Sequence, residues 1–586
     1  MKYFLFLSLL FFSGHGISQS LTQNEVNQQV GLVWGLLKYH HPEVSRGKFN
    51  WERELLGVLE ETEDVSNQKE LNKILLQLCK KVTSKRTRFK ERKEFASEEL
   101  FSKNVDYEWI WETNFGEELT SELLKLKNNR NIGDHYASRE PLNNFLSFKN
   151  EKGLADFDAS LEGHRLLLLY NFWNAIQYWY VNKYLMEEDW RESLAALTSD
   201  FSEATTVQKF ELAKLKMISS LNDSHSYRIS SFLGDSIYNH YPAFNGSLVN
   251  DSLVVTRTFN SELIAPTNIN PGDVITAIEG LTVNDYIQKN FAPLISGSND
   301  NYLRSKIEKW LLLSSNKDSI KVSVFSPGSN TEVQQTIPLY TSLGKESKRT
   351  DLYSPPKEQW FDLDEEVVYI NLDTISPKEL KTAFNYGRAK KAIVLDLRNY
   401  PSNIRDKDLS NFLYPRKKKF VKVLFPIGSH PSYGDADGKA PLRFLLDPFK
   451  SGKRNRNYYK GKVILLVNRY TMSKAEYLAM VVQGAPNVTT IGEQTAGAPM
   501  NIWMYTLSDG QTTSFTGLGG FYPDGRGVQG TGVALDHIIS ESAINYDPGL
   551  YLKEALKIIY GKGEYRPDEP AREGNLTQKN YKRAEK

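Results

Sequence analysis

Between Val367 and Val482 short, unbroken apolar runs alternate with amphipathic stretches: Val367 to Leu372, Ser376 to Arg388, Ala392 to Leu397, Lys462 to Val467 and Ser473 to Val482. A strand with no polar alternation is buried on both faces, and sheets buried on both faces are parallel ones covered by their own crossover helices. Residues 355 to 562 are therefore expected to form an α/β domain on a largely parallel sheet. Ahead of them the pattern changes twice. Residues 24 to 95 and 164 to 230 read as two diverged copies of one helical unit, because Trp34, Tyr39, Trp51 and Leu55 recur at a constant offset as Trp173, Tyr178, Trp190 and Leu194. Each copy then runs into a leucine-rich amphipathic stretch, Leu71 to Leu78 and Leu212 to Leu221. The aromatics are read as core packing, since each buries a large apolar area. Residues 241 to 340 turn to short β runs, Ser247 to Thr256 and Ser319 to Phe325. The expected fold class is multidomain α+β: a leader over 1–18, a first helical domain over 19–125, a second helical copy over 126–235, a β-rich domain over 236–345, the α/β domain over 355–562 and a flexible polar tail over 563–586.

Met1-Lys2-Tyr3 and the apolar run Phe4 to Phe12 have the basic start and short hydrophobic stretch of a secretory signal, and Gly16-Ile17-Ser18 suits cleavage before Gln19. No cysteine stands there for lipid attachment, and no later run reaches about 18 apolar residues. The mature chain is expected to be periplasmic or secreted, without a membrane span. Cys79 is the single cysteine, so no internal disulfide can form and packing must hold the fold. A net charge of +2 gives no reason to expect a nucleic-acid partner. His40, His41, His135, His164 and His430 lack metal-ligand spacing, and Gly517-Leu518-Gly519-Gly520 lacks the Lys-Ser or Lys-Thr ending of a phosphate loop. No metal and no cofactor are expected.

One strand-to-helix junction carries candidate chemistry. Val463 to Val467 gives way abruptly to a helix that starts at Ser473, and two readings of that serine stand side by side. Ser473 with Glu476 spells the S-x-x-E capping box, a purely structural device. The same position also presents a hydroxyl beside the unpaired N–H groups of a helix start, which suit a developing oxyanion. His225 has two readings as well, a histidine bonded to backbone or a base that titrates near neutral pH.

The segment Asn270-Pro271-Gly272-Asp273-Val274-Ile275-Thr276-Ala277-Ile278-Glu279-Gly280 resembles the core signature of PDZ domains. That resemblance implies a groove accepting an extended peptide. The ordered series Asp223-Ser224-His225, the PDZ-like unit, Ile393-Val394-Leu395-Asp396-Leu397-Arg398, Ser473-Lys474-Ala475-Glu476, Thr490-Ile491-Gly492-Glu493-Gln494-Thr495-Ala496-Gly497, Tyr522-Pro523-Asp524-Gly525 and Gly532-Val533 is similar to family S41 serine peptidases, the tail-specific and tricorn-like proteases. The likeness covers most of the chain, is strongest over 390 to 540 and weakest before 160. It implies a crotonase-like ββα peptidase domain acting on extended or C-terminal segments of protein or peptide substrates. The tail-specific type uses a lysine where this chain has Ala498, so a serine-lysine dyad is not expected. By the tricorn-like pattern Ser473 is the nucleophile, His225 the base and Ser224 its helper, while Gln529 stands at the glutamate position. A neutral Gln529 would orient the imidazole but stabilise its charged form less than a carboxylate does. Relatives follow Asp-Leu-Arg with an Asn and paired glycines that supply an oxyanion donor. Here Asn399-Tyr400-Pro401-Ser402-Asn403 follows, so the expected donors are the backbone N–H of Ser402 or Asn403 together with that of Lys474. These departures leave open a catalytically inactive, S41-like peptide-binding or scaffold protein of the cell envelope.

Overall fold

A computed structural model describes residues 20–90, 105–128, 133–140, 146–226, 233–308, 311–343, 358–426, 431, 433–435 and 449–561. The expected leader and tail lie outside the described residues. The chain is a mixed α/β structure with helices and several sheets, and it divides into two compact units, one of Met1–Glu94 with Asp106–Tyr136 and one of the remainder.

The first unit holds the helices Gln23–His40, Trp51–Glu61, Gln68–Val82 and Gly116–Asn128, and the first three start where side chains satisfy their free N–H groups. Thr22 and Glu25 cap each other's backbone, and Asn50 and Asn67 cap the next two helices. Trp34 and Trp51 stack with ring centroids 6.1 Å apart, and each indole N–H donates to the other residue's carbonyl, at 2.8 and 3.1 Å. Cys79 is buried there, and burial pushes its thiol up to about 12, so it is an inert core residue.

The second unit repeats that tryptophan device. On the helices Glu162–Trp179 and Trp190–Ser202, Trp173 and Trp190 stack at 5.9 Å and exchange the same indole-to-carbonyl bonds, at 3.3 and 3.1 Å. The positions that correspond in sequence therefore correspond in geometry. Glu162–Trp179 is buried from His164 to Trp179 with no polar stripe, as befits a helix enclosed on all sides.

Residues 244 to 338 form an antiparallel sheet in the order Phe244–Val249, Ser252–Thr258, Val274–Ile278, Ser319–Ser326, Thr331–Pro338. The stretch Ser247 to Thr256, read from sequence as one run, is a hairpin that reverses at Asn250 and Asp251, with Asn250 at φ +52°. Ile275, Ile278, Val283, Ile287 and Phe291 pack the helix Val283–Asn290 onto the sheet.

The second large sheet runs His537–Ile538, Val488–Gly492, Lys462–Val467, Ala392–Asp396, Val367–Asn371, Trp360–Asp362. All neighbours are parallel except the last pair. Val367, Tyr369, Val394, Ile464, Leu466 and Ile491 on one face pack under Tyr551, Ala555, Leu556 and Ile559 of the helix Leu550–Tyr560. The carboxyl ends of such parallel strands are where α/β sheets bind ligands, and Ser473 lies just beyond one of them. Among the described residues no helix is long and apolar enough to cross a membrane.

Candidate active site

Ser473 follows the turn that leaves the strand Lys462–Val467 and precedes the helix Lys474–Gln483. Thr471 ties this turn to the neighbouring strand end, accepting from Asn468 N–H at 3.0 Å and donating to the Leu397 carbonyl at 2.8 Å. Ser473 sits at φ +56°, ψ −117°. A capping serine takes extended backbone angles, so these angles are not those of a simple cap. They are costly for a side chain with a Cβ, by about 1–3 kcal/mol, and such strain gathers at functional sites. The Ser473 hydroxyl makes no capping hydrogen bond.

Glu476 does form its half of the capping box, and more. Its buried carboxylate accepts from Ser473 N–H at 3.2 Å, Thr495 Oγ1 at 2.6 Å, Gly497 N–H at 2.7 Å and Ala498 N–H at 2.8 Å. Burial pushes Glu476 up to about 7 against the pull of those donors. Gly497 has φ +70°, and a Cβ there would come within 2.8 Å of the Gly530 backbone, so glycine lets the 495–498 loop lie against the turn that follows Gln529. Ala498 is fully buried and supplies a backbone donor.

His225 comes from a short turn after the helix Val207–Ser219. Its Nδ1 lies 2.8 Å from Thr516 Oγ1, and its Nε2 is buried without a partner among the described residues. Burial lowers its pKa below the ordinary 6.5, Asp223 pulls it back up and Lys306 lowers it further. Thr516 ends the hairpin of Ile502–Thr506 and Thr512–Thr516, and Ser514 of the same strand donates to the His225 carbonyl at 2.7 Å.

Ser224 and Gln529 both bond to groups other than the imidazole. Ser224 does not bond the imidazole: its hydroxyl donates to the Ala496 carbonyl at 2.7 Å and accepts from Ser298 N–H at 2.9 Å, as an anchor. Since Ala496 N–H in turn donates to the Thr471 carbonyl at 3.0 Å, two bonds connect the residue before His225 with the residue two before Ser473. Gln529 does not orient the imidazole either. Its amide approaches Asp223 Oδ1 at 3.5 Å and Ser298 Oγ at 3.3 Å, because Thr516 already occupies Nδ1.

The oxyanion donors divide. Ser402 N–H is taken by the Asp373 carbonyl at 2.9 Å. Asn403 bonds through its side-chain amide to the Thr374 carbonyl at 2.8 Å, and its backbone N–H, like that of Lys474, has no partner among the described residues. Lys474 Nζ donates to the Ser402 carbonyl at 3.0 Å and fastens this turn to the helix start. Thr516, Ser296, Ser298 and Asn299 were not singled out from sequence. Asn299 reaches the Thr495 and Gly530 carbonyls at 2.9 and 2.8 Å, and Ser296 Oγ donates to the Asp223 carbonyl at 2.9 Å. Only the small polar run at 296–299 hinted at Ser296, Ser298 and Asn299. Among the described residues no cluster of metal-ligating side chains occurs.

The sequence model of peptidase family S41 matches residues 366–539. No curated protein matches the chain in sequence. Among solved structures, mature CPAF complexed with lactacystin is similar at 13% identity and a TM-score of 0.50, over 67% of this chain and 96% of that one. Mature CPAF without a named ligand is similar at 13% identity and 0.50, over 67% and 97%. The photosystem II D1 C-terminal processing protease is similar at 17% identity and 0.36, over 64% and 93%.

Proposed function

We propose, on the premise that residues 366–539 belong to peptidase family S41, that this chain is an exported serine peptidase cleaving extended or carboxy-terminal segments of protein substrates. Ser473 Oγ attacks the scissile carbonyl carbon while its proton passes to His225 Nε2. The carbonyl oxygen, now negative, accepts from the backbone N–H of Lys474 and of Asn403. His225 returns the proton to the leaving amine as the C–N bond breaks, and water repeats the sequence to release the acyl group. The observation that carries the reading is the strained backbone of Ser473, which a helix cap does not need and a presented nucleophile does. His225 Nε2 is buried and has no partner among the described residues, Ser473 Oγ included, so the transfer runs through one water or a closing of that gap.

The antiparallel sheet of residues 244–338 supports a PDZ-like unit. Its outer strand Thr331–Pro338 is mostly exposed and offers an edge to an extended peptide. The crotonase-like character of the peptidase domain and the division into helical, PDZ-like and peptidase domains belong to the same proposal.

The test is a cleavage screen on unstructured polypeptides with purified protein. Wild type is expected to cut, and Ser473→Ala and His225→Ala are each expected to fall by at least about 100-fold. Equal residual cutting by all three would refute the assignment. The loss of Ser402 N–H and of a charged group at position 529 favours a second reading, a peptide-binding descendant without turnover. That reading expects peptide binding unchanged by Ser473→Ala and no cleavage by either form.

A further inference from the structure

We propose that Asp223, acting through the Thr516 hydroxyl, holds His225 in the tautomer protonated on Nδ1 and so takes over the positioning role that position 529 has lost. The inference rests on His225 being the base proposed above.

Thr516 Oγ1 stands between two partners, Asp223 Oδ1 at 2.7 Å and His225 Nδ1 at 2.8 Å. A hydroxyl has one proton to give, and an ionised carboxylate can only accept. The Asp223 oxygens face donors: Thr516 N–H at 2.5 Å, His225 N–H at 3.0 Å, the Thr516 hydroxyl, and the Gln529 amide at 3.5 Å. The Tyr180 phenol also faces Asp223, and burial, with the Asp223 charge and hydrogen bond, pushes it well above its ordinary pKa. Asp223 is fully enclosed, so nothing but donors justifies its charge there. The hydroxyl proton therefore goes to Asp223, and the hydroxyl lone pair must receive the proton of Nδ1. That fixes the lone pair of the imidazole on Nε2, the one ring atom left buried and unbonded.

When Nε2 takes a proton from Ser473, the positive charge spreads over the ring and the chain Nδ1–H to Thr516 O–H to Asp223 tightens. No proton leaves Nδ1, so the relay orients and stabilises without being consumed. An Asp side chain bonded to the N–H two residues on is also a common turn device. That device alone needs neither a hydroxyl against the ring nitrogen nor a second donor from the same threonine. Because the carboxylate acts at one remove, stabilisation is weaker than in a direct carboxylate–imidazole pair.

The test uses the full chain with Thr516→Val, which keeps shape and the backbone donor, and Thr516→Ser, which keeps the hydroxyl. On a peptide that wild type cleaves, Thr516→Val is expected to lose roughly 10- to 100-fold in kcat with KM nearly unchanged. The acid limb of its kcat/KM profile moves to lower pH, since the imidazolium loses its support. Thr516→Ser restores both. In parallel, 15N NMR of His225 in the unmutated protein is expected to show a protonated Nδ1 and a bare Nε2, a reading that needs neither turnover nor a variant. Wild-type kcat and pH profile in Thr516→Val, or an Nε2-protonated ring in the unmutated chain, would overturn the relay while leaving the peptidase assignment standing. Absence of cleavage with the Nδ1-protonated ring present would sink the assignment, and with it the positioning role, while the tautomer stood.

Discussion

At the scale of single residues, the account turns on a serine with a strained backbone and a histidine with a bare nitrogen. If Ser473 bears strain, Ser473→Gly relieves it and Ser473→Ala does not. The glycine variant is expected to be more stable by about 1–2 kcal/mol, read as a higher midpoint in thermal unfolding. Equal midpoints would remove the argument. Glu476→Gln sets an amide against donors that now face a carboxylate, which costs about 2 kcal/mol. In a domain of this size that is a fall of roughly 4–8 °C in Tm. For His225 the sign follows from its lowered pKa. The neutral, base-competent form persists below the ordinary 6.5, so the acid limb of kcat/KM is expected under pH 6.5. A limb above that value would show that the ring is more exposed or more acidic in its surroundings than the structure has it.

At the scale of elements, the two tryptophan pairs do equivalent work on two pairs of helices. Trp190→Ala removes a stacked ring, an indole donor at 3.1 Å and much of the seam between Glu162–Trp179 and Trp190–Ser202. It is expected to cost about 3–5 kcal/mol, measured by denaturant unfolding, whereas a loss under 1 kcal/mol would mean that the seam repacks. These pairs were legible in the sequence because a constant offset between large aromatics survives divergence of everything around them. The parallel sheet was legible for a related reason: strands such as Ala392–Asp396 are apolar at every position, which only burial on both faces allows. The hairpin inside Ser247 to Thr256 was missed because Asn250 and Asp251 interrupt a run that otherwise reads as one strand. Thr516 was invisible for a different reason. A threonine in a Thr-Ser-rich strand has the look of ordinary sheet, and its partner imidazole lies 291 positions earlier. Long-range partners of small polar groups leave no local pattern. Nor does sequence tell whether a donor such as the Ser402 N–H is already bonded, here to the Asp373 carbonyl.

At the scale of the second unit, one buried arginine joins the β-rich region to the parallel sheet. Arg469 pairs with Glu493 at 2.8 Å and Glu308 at 3.2 Å and donates to the Leu248 carbonyl at 2.9 Å. Glu541 stands by this cluster, and burial together with Glu493 and Glu308 pushes it up to about 7, with Arg469 and Arg398 pulling the other way. A carboxyl raised in the folded state binds a proton there that the unfolded chain has released. Stability is therefore greatest at low pH and falls as pH rises through about 7, by at most about 1.4 kcal/mol per pH unit for one group. Glu476 acts in the same direction. Tm is expected to drop between about pH 4.5 and 7 and to level off above that, with Glu541→Gln flattening the slope in part. A slope untouched by that substitution would mean that Glu541 stays ionised. The central claim, that folding delivers an activated hydroxyl at a helix start, is tested most directly by the rate at which a fluorophosphonate labels the intact protein. The account predicts a single adduct on Ser473, formed at least about 100-fold more slowly in His225→Ala. Labelling elsewhere, or at Ser473 with a rate indifferent to His225, would contradict it.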